Sequence, residues 1–572
     1  MSYFLVAAIF AALAFAFSRK IIPTIGNFVF GLIISYLFMP TLAWGYFGTN
    51  FFFAAGLLGA LCAAMYRMTS FSQTDRAAEE RAGKQAMYFG IGSATVAVLA
   101  IIVIPIFTTW SAFTADTRRS LLEVTEETTF DPSKMLFDQT QARYVDEFLA
   151  TRRMNELCGE HTGLCSQTDF GRPRIQNQNG KMYWVAPLQH EGITKWWTNR
   201  TVPGYAMVSV TDYSDAKLVL KHNQSIGLDG FQLGDYLPRF LYENGYANAS
   251  FADFTYELDD NGFPHWVSAK IARKAGFGGD VVVSVVIVNP VTREIKEYAI
   301  ADAPKWVERI QPEGLIENRI SDWGAFPHGW MDSFSGRDVL AVTPGSALVY
   351  TVDGRAVWYT GIQSSGGNAE ATMGFMLTDS RTGKAVFYKR AGITENAAQR
   401  ALEGMVQDQK WTASPPVPYM VFGVPTFISI MKDQAGNRAA IGMISYDNRE
   451  VKAVGERNDL DSVLRAYKFA LQSKGTKVDL KEGVDEIVLE GTVTLITRET
   501  GKDGTVINFM IDSQPNKGFE VLSNVSSEIR FTKEGHRVRV RVNSAAPAVL
   551  DVSSFDNLDI QLYEGTIPKT PN

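Results

Sequence analysis

The sequence predicts an α+β protein in three parts: an N-terminal four-helix transmembrane region, tandem helix-plus-antiparallel-sheet modules, and a small C-terminal β-barrel. Three observations carry this. Charge is split, because the first 113 of 572 residues hold nine of the 116 Asp, Glu, Lys and Arg side chains, about 8% of that stretch against about 23% of the rest. One turn-and-strand pattern recurs four times between residues 179 and 454. From residue 484 onward the chain reads as short strands separated by glycine. The 46% hydrophobic content excludes a disordered chain, and three cysteines exclude a disulfide-dense scaffold. A net charge of −6 argues against nucleic acid as a partner.

Four apolar segments fill residues 1–113: Tyr3–Phe17, Ile21–Trp44, Tyr46–Tyr66 and Met87–Phe113. A hydrocarbon core about 30 Å thick needs roughly 20 helical residues, so the last three suffice and the first is marginal. Arg19 and Lys20 follow the first run instead of preceding it, the reverse of a cleaved secretion signal. Lys and Arg remain in cytoplasmic loops. Arg19 and Lys20, then Arg67, Arg76, Arg81 and Lys84, therefore place loops one and three inside, with Arg118 and Arg119 a minor contrary signal. The expectation is a multi-pass protein of the inner (cytoplasmic) membrane, embedded in the lipid bilayer, with residues after about 113 extracytoplasmic. No segment holds an ionisable side chain, which suits an anchor better than a pump. Ala55, Gly59 and Ala63 in segment three permit close helix approach, within the set or in a homo-oligomer.

Cys158 and Cys165 flank a loop-like stretch and would close a small disulfide in an oxidising compartment. Free thiols, or a metal site in which His161 joins them without a fourth ligand, are the alternatives.

The repeat consists of a tight turn, an aromatic-containing strand, a second apolar strand, a polar turn and a third strand. Its copies begin at Asn179-Gly180, Asp260-Asn261-Gly262, Asp353-Gly354 and Gly423-Val-Pro425, and place Trp184, Trp266, Trp358 and Phe427 in the first strand. Asn-Gly and Asp-Gly supply the positive φ a hairpin turn requires. Helical patterns at Ala142–Leu157, Asp235–Tyr242 and Thr394–Val406 lead into copies one, two and four. Copy three shows none. The expected domains are four transmembrane helices (1–113), a first module with its leading helix (114–225), a second (226–312), a third, helix-poor module (313–390), a fourth (391–475) and the barrel (484–565).

The helix-then-meander unit resembles the PepSY module, most clearly over Gly392–Gly455. Trp196-Trp197-Thr-Asn199-Arg200, Asp302-Ala-Pro304-Lys-Trp306-Val307 and Ala391-Gly392-Ile-Thr394-Glu395 resemble signatures of a poorly characterised family of large membrane-anchored proteins of Gram-positive bacteria and tailed phages. That resemblance implies tandem modules and no known reaction. Strands at Ile487–Ile496, Thr505–Asp512, Phe519–Leu522, Arg537–Val542 and Asp559–Leu562 resemble an OB-like barrel. Eight basic and nine acidic residues over 485–545 give it no nucleic-acid charge.

No nucleophile elbow, zinc-protease or phosphate-loop motif occurs, and the six histidines are scattered. No catalytic residue, cofactor or metal is expected. Glu257, Asp259 and Asp260 form the densest carboxylate cluster, a weak candidate for acid/base work or calcium at what also reads as a turn. Trp196, Trp197, Trp306, Trp323 and Trp330 are candidates for an interaction groove or for plugs between modules. The expected function is a non-enzymatic, membrane-anchored envelope protein whose arm of modules binds or regulates an extracytoplasmic protein partner. An extracytoplasmic hydrolase using the carboxylate cluster, or a scaffold in a membrane-inserted assembly, are the competing expectations.

Overall fold

The computed structural model describes residues 3–18, 21–42, a few positions from 81 to 95, 109–127, 142–474 and 486–562, except 162, 230–232, 277, 352, 367–369, 457–459, 502–503, 524, 544–548 and 561. The chain divides into two compact units, Met1–Phe130 with Gln139–Arg390, and Asp131–Asp138 with Ala391–Asn572.

The first unit opens with α1 (Tyr3–Ser18) and α2 (Ile21–Leu42), an antiparallel hairpin in which Tyr3 meets Tyr36 at 5.4 Å and Phe10 meets Phe30 at 6.3 Å. Among the described residues no helix is long and apolar enough to cross a membrane. α1 has 16 residues, about 24 Å. α2 carries Pro23, Asn27 and Ser35, and Asn27 and Ser35 bond backbone carbonyls of their own helix. One face of the hairpin packs on the protein: Val6 and Phe10 share a buried cluster with Tyr242, while Phe4, Phe15, Ile21 and Ile25 are exposed. Arg239 donates to the Tyr3 hydroxyl at 3.2 Å and lies 3.9 Å over the Tyr36 ring. Segment three, with Cys62 and the Ala55, Gly59 and Ala63 stripe, and most of segment four lie outside the described residues. The expectation of four transmembrane helices and a multi-pass inner-membrane location is thereby corrected. The fold class is mixed α+β, built mostly of sheets.

Next come α3 (Ser111–Ser120) and β1 (Val124–Glu127), then three modules. In the first, α4 (Glu147–Gly159) starts at Asp146, whose carboxylate accepts the Leu149 N–H at 2.8 Å. Its sheet runs β2 (Thr168–Phe170), β4 (Lys181–His190), β5 (Tyr205–Ser209) and β6 (Ala216–Val219), with β3 (Arg174–Gln178) also on β4. Asn179 and Gly180, at φ 54° and 85°, make the β3–β4 turn. A short α5 (Ile193–Thr198) follows β4.

The second module sets α6 (Leu237–Leu241) before a four-stranded meander of β7 (Ser250–Leu258), β8 (Pro264–Ala275), β9 (Gly278–Val288) and β10 (Ile295–Tyr298). Tyr183, Tyr205 and Met207 of the first sheet and Leu237, Tyr256 and Trp266 of the second module lie in one core cluster, so the two modules share a core.

The third module is not helix-poor: α7 (Glu313–Ala325) leads into it. Its sheet includes β11 (Leu340–Val342), β12 (Ala347–Tyr350), β13 (Ala356–Ser364), β15 (Gly374–Asp379) and β16 (Ala385–Tyr388); α8 (Asp332–Ser335) and β14 (Ala371–Thr372) are short accessories. β1 pairs in parallel with the β16 edge, from Val124 opposite Ala385 to Glu127 opposite Tyr388. Residues 124–127, assigned by sequence to the first module, thus complete the third sheet.

A single contact recurs in these modules. Trp184, Trp266 and Trp358 donate their indole N–H to the carbonyls of Val145, Ile226 and Gln311, at 2.8, 3.0 and 2.8 Å. Each acceptor lies upstream of its module's helix, so the strand tryptophan clamps the segment that enters the module.

The second unit holds β17 (Gly392–Ile393), α9 (Glu395–Met405) capped by Thr394, and a sheet of β18 (Thr412–Ala413), β20 (Val424–Lys432), β21 (Arg438–Ser445) and β22 (Lys452–Glu456), with β19 (Val417–Val421) on β20. α10 (Leu460–Ser473) follows. The last strands, β23 (Glu486–Gly501), β24 (Gly504–Ile511), β25 (Gly518–Leu522), β26 (Arg537–Asn543) and β27 (Val549–Asn557), close into a barrel in the order β23–β24–β25–β27–β26, with β25 and β27 parallel. Val493, Phe509, Phe519, Val540 and Leu550 are among the side chains that fill it.

Candidate functional site

The chemistry of the first unit concentrates where its three modules meet. Glu257, near the end of β7, is fully buried; its carboxylate accepts the Thr255 hydroxyl at 3.0 Å and the Glu308 N–H at 2.9 Å. Glu308 lies in the segment joining modules two and three. Its carboxylate accepts the Tyr350 hydroxyl from β12 at 2.6 Å and the Asn177 N–H from β3 at 3.3 Å. Glu308 therefore touches all three modules. Burial pushes its carboxyl up to about 8; the Tyr350 bond and Arg309 oppose that, and Glu257 adds to it. Burial also raises Glu257, against the pull of Arg309 and of the bonds it accepts.

Arg309 is buried beside this pair, with Nη2 bonded to the Ile175 carbonyl and Nε without a hydrogen-bond partner. From the β15–β16 turn, Arg381 clamps the same linker, donating to the carbonyls of Pro304 and Ala303 at 2.8 Å each. Gln176 and Leu258 exchange two hydrogen bonds, at 2.6 and 2.9 Å, across modules one and two. These hydrogen bonds cross from module to module through buried groups, where each one lost would leave a polar atom without a partner.

Between the modules opens a cleft of about 850 Å³. Its wall carries Arg118, Arg172, Arg174, Arg273, Arg309 and Arg319 against four carboxylates, Asp253, Asp280, Glu313 and Asp322. Arg172 comes from the segment before β3 and Arg174 from its first residue, Arg273 and Asp280 from the β8–β9 hairpin, and Glu313 and Arg319 from α7. The hairpin reaches this place because Gly279, at φ 66°, sits where a Cβ would lie 2.8 Å from Ala275 Cβ and 2.9 Å from Leu121 Cδ1. Several charges are already matched. Asp322 binds Arg118 at 2.5 Å, Arg172 reaches Glu147 at 3.1 Å, and Arg319 donates to the Asp280 carbonyl at 3.0 Å. Arg174 lies 3.6 Å from Asp253 and is also drawn by the carboxylate of Glu313. Burial and the neighbouring Arg309 lower the Arg174 pKa, and burial lowers Arg319 to about 10. Arg273 also faces Asp280 at 3.5 Å, so guanidinium and carboxylate groups alternate along the cleft wall.

The residues singled out from sequence scatter. Glu257 is closed inside the junction, whereas Asp259 caps its own turn, accepting the N–H groups of Asn261 and Phe263 at 2.9 and 2.8 Å. Asp260 is exposed on that turn. The three carboxylates do not converge on a common point. Cys158 and Cys165 are joined in a disulfide, with Cα atoms 5.5 Å apart. Trp196 is buried under Arg200, whose guanidinium lies 3.8 Å from its ring centre, while Trp197 is exposed. Trp306 stacks on His265 at 4.9 Å, between the linker and module two. Trp323 is buried between Arg119 and Phe387, and Trp330 is at the surface near Phe334. Among the described residues no group of three or more His, Cys, Asp and Glu is placed to hold a metal ion.

Sequence reasoning missed Glu308, Arg309 and Arg174. A signal existed for the first two: Val307-Glu308-Arg309-Ile310 embeds two charges between fully buried aliphatic residues. No protein-family profile matches the chain, and no curated protein is significantly similar to it.

Proposed function

We propose that the chain is a non-enzymatic binding protein whose first three modules form one rigid body and engage a protein partner through the arginine-lined cleft. The observation that carries this reading is the junction itself. Glu308 ties together Asn177, Glu257 and Tyr350 from three modules, and the cleft beside it takes side chains from all three. Small modules fused edge to edge generate concave surfaces that no single module offers, which favours partner binding. The hydrolase alternative is weakened because Glu257 is sealed from solvent and saturated with hydrogen bonds, while Asp259 and Asp260 serve a turn.

A photo-crosslinking amino acid at Asn318, an exposed cleft residue on α7, tests this in the native host. It should trap one defined protein partner, whereas the same probe at exposed Lys384 should not. Equal labelling from both positions would count against the cleft. Glu257→Gln should leave the crosslink in place as long as the fold is retained.

A further inference from the structure

We propose that the contact between the β7–β8 turn and the first module is an acid-sensitive latch, worked by His222 and His265, whose rings lie on Phe263. The inference concerns how modules one and two are joined and is independent of what fills the cleft. The turn Asp259–Phe263 is docked through its backbone. Gln178 donates to the Asp259 carbonyl at 2.8 Å, Asn179 to the Asp260 carbonyl at 3.2 Å, and the Tyr205 hydroxyl to the Gly262 carbonyl at 2.7 Å. All three donors belong to module one. Phe263 ends the turn, with its ring centre 4.7 Å from that of His222 and 5.8 Å from that of His265. His222, from the segment after β6, is 9% exposed and stacks on Tyr205 at 6.1 Å. His265, near the start of β8, also stacks on Trp306. One row of rings thus runs from module one through module two to the linker that leads into module three.

Each histidine carries a ring nitrogen that is sealed from water and unbonded, Nε2 of His222 and Nδ1 of His265. A neutral imidazole can leave its acceptor nitrogen there, whereas an imidazolium has a proton on both nitrogens and would bury a charged donor without an acceptor. Little stands ready to compensate that charge. Asp259 acts on both rings and lies 3.6 Å from His265 Nε2, but it already accepts the Asn261 and Phe263 N–H groups. Lys221 opposes a charge on His222, and Lys296 opposes one on His265; Glu294 favours it but is paired with Lys296 at 3.0 Å. Glu257 stands opposite His265 in the β7–β8 register, and burial holds its carboxyl toward the neutral form. Tyr205, raised to about 12 by burial, stays uncharged beside His222. Burial is the largest influence on both histidines and lowers both from the ordinary value of 6.5. The opened turn therefore takes up protons that the docked turn excludes. Docking is at full strength above about 6.5 and weakens as pH falls below it.

A fluorine label on the ring of Phe263, introduced as 4-fluorophenylalanine in the full-length chain, tests this by fluorine NMR, because the resonance difference between H2O and D2O separates a covered ring from a wetted one. From pH 8 to pH 5 the wetted population should grow, by up to about tenfold per pH unit for each histidine that charges on opening. His222→Gln combined with His265→Gln, which cannot charge, should keep the ring covered at pH 5. If that pair already wets the ring at pH 8, His222→Phe with His265→Phe keeps aromatic packing and is the variant to read. Glu308 titrates in the opposite sense, so Glu308→Gln should leave the acid response unchanged. The proposal is overturned if the wild-type ring stays covered down to pH 5, or if a histidine-free variant that is covered at pH 8 opens with acid as the wild type does. Wetting at pH 8 in both histidine-free pairs, or loss of the acid response in Glu308→Gln, would overturn it as well. So would a second label on buried Phe427, in the other compact unit, becoming wetted together with the first, since that marks general acid unfolding instead of release of the turn.

Discussion

The first three modules and the fourth follow one plan but secure it differently, and the difference separates the signature of the repeat from its physics. In modules one to three a strand tryptophan reaches back to a carbonyl ahead of the helix. The fourth module has Phe427 at the matching place, an apolar ring with no donor. There the entering segment is held by backbone, Ile393 N–H to the Tyr446 carbonyl at 2.9 Å, and Gly392 packs directly on the Tyr446 ring. The same closure is reached by an indole bond in one case and by close backbone approach in the other. Modules one to three also meet at buried charges, whereas the fourth module's sheet packs against α9 and α10.

The sharpest way to break that contrast is to remove the buried charge. Glu257→Ala strips the acceptor from the Glu308 N–H and leaves Arg309 facing an uncompensated site. A loss of about 3–5 kcal/mol in denaturant melts is expected. An effect below 1 kcal/mol would show that the junction does not weld the modules.

The next effect is a pH dependence. Between the ordinary glutamate value of 4.5 and about 8, the folded chain retains on Glu308 a proton that the unfolded chain has released. Stability contributed by this group is therefore complete at low pH, falls as pH rises through that window and levels off above about 8. Glu257 shifts in the same direction and adds to the slope. Melting temperatures of the wild type should decline from pH 5 to pH 8 more steeply than those of Glu308→Gln. Parallel curves would remove Glu308 from the account.

Exchanging the two closures tests them as equivalents. Trp358→Phe leaves the Gln311 carbonyl without its donor, at about 1–3 kcal/mol. Gly392→Ala drives a methyl to within 2.3 Å of the Tyr446 ring, and a comparable loss is expected from overpacking. If either substitution were silent while the other was costly, the modules would not share one closure.

How much of this was legible in the sequence depends on the range of the interaction. Asn179-Gly180 sets its turn through local backbone preference, and Thr394 caps its helix within one turn, so both could be read directly. α7 escaped because Glu313-Gly-Leu-Ile-Glu-Asn-Arg319 starts with no capping side chain and buries Arg319 on the face a pattern search expects to be apolar. β1 was misplaced because its pairing with β16 spans more than 250 residues, and no four-residue segment announces so distant a partner. For α1, hydropathy counts apolar residues without saying which of them the rest of the chain covers: Val6 and Phe10 are buried, whereas Phe4 and Phe15 are exposed. The buried face of α1 meets Tyr242 and Arg239 of the second module. The cleft was invisible because its arginines come from positions as far apart as 118 and 319.

The smallest effect concerns the helix that was easiest to read. The Thr394 hydroxyl accepts the Ala397 N–H at 3.2 Å, one of four donors that the first turn of α9 leaves without helical partners. Thr394→Ala should cost about 1 kcal/mol, and Thr394→Ser almost nothing, because serine keeps the acceptor. Asp146→Ala at the start of α4 removes the same kind of bond, at 2.8 Å, and should cost a similar amount. Since α4 enters a tryptophan-clamped module and α9 does not, equal losses in urea titration would mean that helix initiation is independent of how a module closes. A clearly larger loss at Thr394 would mean that the indole bond in module one carries part of the load the cap carries in module four.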